Sequence, residues 1–98
     1  MNFKKPIFVR RAVGDSMSPK LIAGKLLIAT TLFRDLHPGY VVIIEHDGKQ
    51  KVKRIERMQG GKVFVVGDNL EASTDSRHFG WLNYDQVIAV VIWPRLKK

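Results

Sequence analysis

The chain has 98 residues, 45% of them apolar and 27% charged, which is the balance of a folded globular protein with room for one hydrophobic core and therefore one domain over residues 1–98. It contains no cysteine, so disulfides, thiol nucleophiles and thiolate-bound zinc are excluded. A formal charge of +8 favours an anionic partner, but many of the cations sit at the two ends (Lys4, Lys5, Arg10, Arg11; Arg95, Lys97, Lys98), where solubility explains them equally well.

Short apolar segments rich in β-branched and aromatic residues follow one another along the chain. The first is Ile7–Val9. A single helical turn is then expected from Ser18 to Ala23, with Ser18 as N-cap, Pro19 in the first helical position and Gly24 at the exit. Further strands are expected at Leu26–Thr31, Tyr40–Ile44, Lys51–Ile55, Lys62–Val66 and Gln86–Trp93. Turn signals separate them at Pro38-Gly39, Asp47-Gly48 and Gly60-Gly61, and a long polar stretch runs from Gly67 to Gly80. The pattern predicts a mostly β fold with hairpins over 40–57 and 51–66, closed into a compact twisted β domain or partly open barrel. The longest apolar runs, Leu26–Ala29 and Val87–Trp93, fall far short of the ~20 residues that cross a bilayer, and the N-terminus has no apolar signal core. A soluble, cytoplasmic chain with at most peripheral membrane contact is expected.

Three segments carry chemistry. The first is Gly14-Asp15-Ser16-Met17-Ser18-Pro19-Lys20-Leu21, the second Val52-Lys53-Arg54-Ile55, and the third Gly67-Asp68-Asn69-Leu70-Glu71-Ala72-Ser73-Thr74-Asp75-Ser76-Arg77-His78-Phe79-Gly80. A serine hydroxyl becomes a nucleophile when a neighbouring base takes its proton, and no histidine here has a triad context. A lysine can serve if burial among apolar side chains keeps its amine neutral, and Lys53 lies between Val52 and Ile55 in an expected strand. Taken singly, Lys53 reads as a solvated strand lysine and Ser16 as an ordinary turn serine. The third segment is what joins them.

In order and content the three segments resemble the boxes of the signal peptidase I family (S26 serine peptidases), over about two-thirds of the chain. The resemblance implies a Ser/Lys-dyad endopeptidase of the signal peptidase/LexA-like catalytic type, with Ser16 as nucleophile and Lys53 as general base. It implies that Ser73 orients the neutral amine, and that Arg54, Asp68, Asp75 and Arg77 are structural ion-pairing residues that hold the Ser73 loop beside the Lys53 strand. Met17 is expected to shape the substrate groove or to pack in the core. Gly14 stands where some family members have a hydroxyl, which leaves the oxyanion hole to backbone donors such as the Ser16 N–H. Milder departures are Lys25, Tyr40 and Leu70, which touch loop chemistry rather than the dyad. The implied partner is a polypeptide precursor or leader, cleaved after small side chains at the first and third positions before the bond, with no cofactor. The third segment also resembles small soluble members that process a nickel superoxide dismutase precursor. The family's N-terminal membrane helix is missing from this sequence, which suggests a soluble branch or a truncated chain.

Three other readings compete. A self-cleaving LexA/UmuD-like regulator shares the dyad and the Gly-Asp-Ser-Met segment, but only 15 residues precede Ser16 and no Ala-Gly pair lies among them. A basic β-barrel that binds nucleic acid needs aromatics on one strand face, and the expected strands of that kind offer only Phe8 and Phe64, so no nucleic-acid partner is expected. An Asp68/Asp75 carboxylate-pair hydrolase has nothing else to complete it. His37, His46 and His78 lack paired metal spacing and are expected on the surface, while Trp81, Tyr84 and Trp93 are expected to pack in the core or at its edge. The oligomeric state is left open.

Overall fold

The computed structural model describes residues 6–14, 16–18, 20–21, 23–69 and 73–96. Expectations placed on Lys4, Lys5, Asp15, Pro19, Leu70, Glu71, Ala72, Lys97 and Lys98 lie outside the described residues. Among the described residues seven strands, β1 (Ile7–Arg11), β2 (Leu26–Thr30), β3 (Val41–His46), β4 (Lys49–Gln59), β5 (Lys62–Val66), β6 (Leu82–Asn83) and β7 (Val87–Trp93), form one sheet in the order β1-β2-β7-β3-β4-β5-β6. Every neighbouring pair is antiparallel. The sheet curls into an open half-barrel, the mostly β architecture expected from the sequence.

The continuous apolar run of β3 places it at the centre, because a strand covered on both faces loses the usual alternation. Val41 and Ile43 bury into one cluster with Ala12, Met17, Leu21, Leu27, Ala29 and Ala89. Val42 and Ile44, pointing the other way, join Ile55, Val63, Val65, Leu82 and Val87. At about 1.5–3 kcal/mol for each fully buried large aliphatic side chain, these two clusters fix the strand that neighbours Lys53.

β4 is longer than the expected Lys51–Ile55 segment because both of its turns are tight. Asp47 and Gly48 take φ of 56° and 73°, as a two-residue hairpin turn requires, so pairing with β3 begins at once with His46 and Lys49. β4 also changes partners along its length. Lys49 to Arg54 pair with β3, whereas pairing with β5 starts only at Arg54 and continues to Gln59.

The single helical turn expected from Ser18 to Ala23 falls partly outside the described residues; at its start the Leu21 N–H donates to the Met17 carbonyl (3.0 Å), an i→i−4 bond. One expectation changes. The polar stretch expected to be loop contains a four-residue helix, α1 (Ser76–Phe79), capped by the Asp75 side chain with His78 closing the box. Among the described residues no helix is long and apolar enough to cross a membrane.

Candidate active site

The loop between β1 and β2 is closed at its base by the Ala12 N–H to Lys25 carbonyl (2.8 Å) and Gly24 N–H to Ala12 carbonyl (2.9 Å) bonds. Its apolar residues Met17 and Leu21 are each 2% exposed in the core. Ser16, just before Met17, is thereby held at the rim. Its hydroxyl points at the Val52 carbonyl in a long contact (3.5 Å), and its own carbonyl accepts the Asn69 N–H (2.7 Å). Gly14 has φ of +82°, a conformation that side chains rarely adopt. A hydroxyl-bearing residue at that position would be strained, which gives the departure from the family pattern a backbone reason.

Lys53 is 3% exposed. Burial pushes its amine below the ordinary lysine value; Asp75 opposes that shift, while the nearby charges of Lys51 and Arg77 reinforce it. The amine donates to Ser73 Oγ (3.1 Å), and the Ser73 hydroxyl in turn donates to Asp75 Oδ2 (2.6 Å). Burial alone would raise the Asp75 carboxyl, but hydrogen bonds from the Arg77 guanidinium, Ser73, the Gly67 N–H and the Arg77 N–H hold it far below the usual carboxylate range. An ionised carboxylate only accepts, so the Ser73 proton is committed to Asp75. Ser73 can therefore only accept from Lys53, and a neutral Lys53 amine held this way keeps its lone pair free.

The four charged residues expected to act as one set form two separate clamps. Arg54, 1% exposed, is bidentate to Asp68 (2.8 and 2.7 Å) and also donates to the Gly39 carbonyl (2.8 Å), fixing the turn after β5 to β4. Arg77 grips Asp75 through Nε (2.8 Å) and Nη2 and reaches the Gly67 carbonyl (3.4 Å). Between them lies Gly67, whose role the sequence reading missed. A Cβ there would sit 2.2 Å from Ser73 Oγ and 2.7 Å from the Ser16 carbonyl oxygen, so only glycine lets the Ser16 and Ser73 loops close on each other.

A groove of about 390 Å3 runs past this point, with Val13, Gly14 and Ser16 on one side and Lys49 to Lys53 on the other. Ile55 directs its backbone groups toward the β3 side, accepting from the Gly39 N–H (2.7 Å) and donating to the Tyr40 carbonyl (2.9 Å). Backbone direction alternates along a strand, so Val52 and Gln50 turn theirs outward, where β5 has not yet begun to pair. The groove thus lies along a length of open sheet edge beside Ser16 and Lys53.

Of the two places expected for Met17, groove or core, it takes the core, where its sulfur accepts the Asp68 N–H (3.4 Å). Two further placements differ from expectation. Trp93 is 55% exposed rather than packed. His46 is half-buried and stacked on Phe79 at 3.9 Å between ring centroids, because the tight Asp47-Gly48 turn brings it over α1. Among the described residues, no group of three or more His, Asp or Glu could hold a metal.

The site is thus a polar chain of lysine, serine and aspartate buried at the edge of an antiparallel half-barrel. The chain belongs to the Peptidase S24-like family, whose model matches residues 2–92. A 41-residue stretch is 44% identical to the protein named Signal peptidase I of Bacillus caldolyticus. That stretch is 39% of this chain and 22% of the relative, so the chain spans well under two-thirds of the relative's length. The signal peptidase I-like resemblance drawn from the three boxes is supported by the named relative, and the two comparisons together place the chain among S24/S26-like peptidases.

Proposed function

We propose that the protein is a serine endopeptidase in which Ser16 attacks the scissile carbonyl and Lys53 takes its proton. The observation that carries this reading is the buried Lys53 amine, kept toward neutrality by burial and oriented by a Ser73 hydroxyl whose own proton is committed to Asp75. In the free protein the Ser16 hydroxyl is bonded to the Val52 carbonyl and the Lys53 amine to Ser73. An extended substrate pairing with the open edge of β4 would bring its own N–H to Val52 and release the Ser16 hydroxyl to turn toward the amine. Catalytic hydrogen bonds commonly tighten only when substrate is bound. The Ser16 N–H then lies beside the developing oxyanion, a donor of a kind whose removal costs about 2.7–4 kcal/mol in other enzymes. The substrate is a polypeptide with small residues at the first and third positions before the bond.

The S24-like match also favours a second reading, in which the cleaved segment belongs to a longer form of the same polypeptide, as in self-cleaving regulators. Both readings use the same dyad. The test is a pH–rate profile on a peptide with Ala-x-Ala before the scissile bond, for the wild type, Ser16→Ala and Lys53→Arg. The wild-type rate is expected to rise with an apparent pKa well below the ~10.4 of free lysine. Both variants should be inactive, since a guanidinium stays protonated and cannot accept the serine proton. Residual activity near wild type in Lys53→Arg would identify another base.

A further inference from the structure

We infer that the groove selects peptide segments carrying acidic side chains on alternate residues, read by Lys49 and Lys51; this rests on the reading of the groove as a peptidase cleft. Side chains alternate across a strand, so Lys49, Lys51 and Lys53 share one face of β4 while Gln50 and Val52 take the other. Only Lys53 is sealed into the interior. Lys51 is half-buried with its ammonium 5.6 Å from the centre of the Phe79 ring, and Lys49 is exposed. Neither of these two makes an ion pair among the described residues. Arg10 and Arg11 line the groove as well, with Arg10 bonded to the Gln50 side chain, and no described lining residue is a carboxylate.

These charges are close enough to act together. Alternate residues on a strand are about 7 Å apart, inside the ~8 Å over which charges interact at physiological salt. The ladder therefore repels itself in the free protein, and a strand laid on the open edge of β4 relieves that repulsion when its own alternate residues are acidic. Directly opposed residues in adjacent strands face the same side of the sheet. The substrate residue opposite Lys53 fixes the frame, and the acidic positions fall two and four residues away from it, opposite Lys51 and Lys49. A lysine at either position would meet like charge, which is how such a surface rejects wrong partners.

The experiment uses the full chain carrying Ser16→Ala, so that binding is measured without cleavage, together with wild type for turnover. Fluorescence anisotropy compares Ala-x-Ala peptides bearing a pair of Glu, Gln or Lys residues two and four positions beyond the residue before the scissile bond, on its C-terminal side, so that both alanines are kept. A further Glu pair is shifted by one position. In-frame Glu is expected to bind about tenfold tighter than Gln at low salt, with most of the gain lost in 0.5 M salt. Lys49→Glu should reverse the order of the Glu and Lys peptides. Equal affinity for all peptides, or an order unmoved by Lys49→Glu, would overturn the inference. So would Glu acting equally at any spacing with an oligothymidylate displacing the peptide, since that pattern belongs to a nonspecific polyanion surface. Discrimination in binding with no wild-type cleavage of any peptide would instead refute the protease reading and leave the acidic selection standing.

Discussion

Gly67→Ala tests whether the Ser16 and Ser73 loops must close on each other. The added Cβ would lie 2.2 Å from Ser73 Oγ, 2.6 Å from Ser73 Cβ and 2.7 Å from the Ser16 carbonyl oxygen. Comfortable carbon contacts begin near 3.5 Å, so the loops must part by roughly 1 Å. Neither neighbour can swing aside freely, because Ser73 is bonded to both Lys53 and Asp75, and the Ser16 carbonyl to the Asn69 N–H. Overpacking of this kind costs about 1–3 kcal/mol, and at ~4–8 °C per kcal/mol for a domain of this size the melting temperature should fall by at least a few degrees. A 1 Å misplacement of reacting groups can cost on the order of 100-fold in rate, so kcat should drop far more than stability alone explains. Gly61→Ala is the control. It has φ of +78° and nothing within 4 Å of its would-be Cβ, and it sits in the turn at the far end of β4, so it should cost about 1–2 kcal/mol of backbone strain and leave kcat intact. Thermal unfolding and peptide turnover of both variants decide the matter. A Gly67→Ala protein with wild-type melting temperature and kcat would refute the packing argument.

Two more expectations concern protons. Arg77 both neutralises Asp75 and repels a charge on Lys53, so Arg77→Met should leave Asp75 freer to stabilise the ammonium and move the rising limb of the pH–rate profile to higher pH; a limb that stays in place or moves down would contradict that coupling. Lys53→Met should raise stability at neutral pH, because the wild-type amine is buried with a lowered pKa. Between that value and the ~10.4 of the unfolded chain, the unfolded state holds a proton that the native state has released, so wild-type stability climbs with pH across this window. The variant lacks that climb, and urea midpoints from pH 6 to 10 that run parallel for the two proteins would sink the assignment of Lys53 as a buried, proton-poor amine.

Much of the fold was legible because its signals are local. The apolar run of β3 and the turn pairs Asp47-Gly48 and Gly60-Gly61 suffice to predict hairpins, and both are present as β3–β4 and β4–β5. Strand lengths were less legible, since Lys49 and Gln50 carry no apolar pattern and are strand only because the preceding turn forces them into register. β6 pairs through two residues alone, too few to leave a periodicity. α1 was hidden in a polar stretch because its four residues depend on one cap. The Asp75-x-x-His78 spacing was the available signal, with histidine in the place where glutamate or glutamine normally completes the box.

The site shows a different kind of legibility. Lys53 on its own is indistinguishable from Lys49 and Lys51, three lysines at alternate positions on one face of one strand. What separates Lys53 from them is the arrival of Ser73, Asp75 and Arg77 from a loop twenty or more residues further along the chain, and that loop is held against β4 by Arg54 and Asp68. Burial of one rung of a lysine ladder is thus a tertiary event, imposed by two ion-pair clamps and one glycine too crowded to carry a side chain. The same event leaves the other two rungs lining the groove. The buried amine of Lys53 and the basic lining of the groove are both consequences of where that one loop lands.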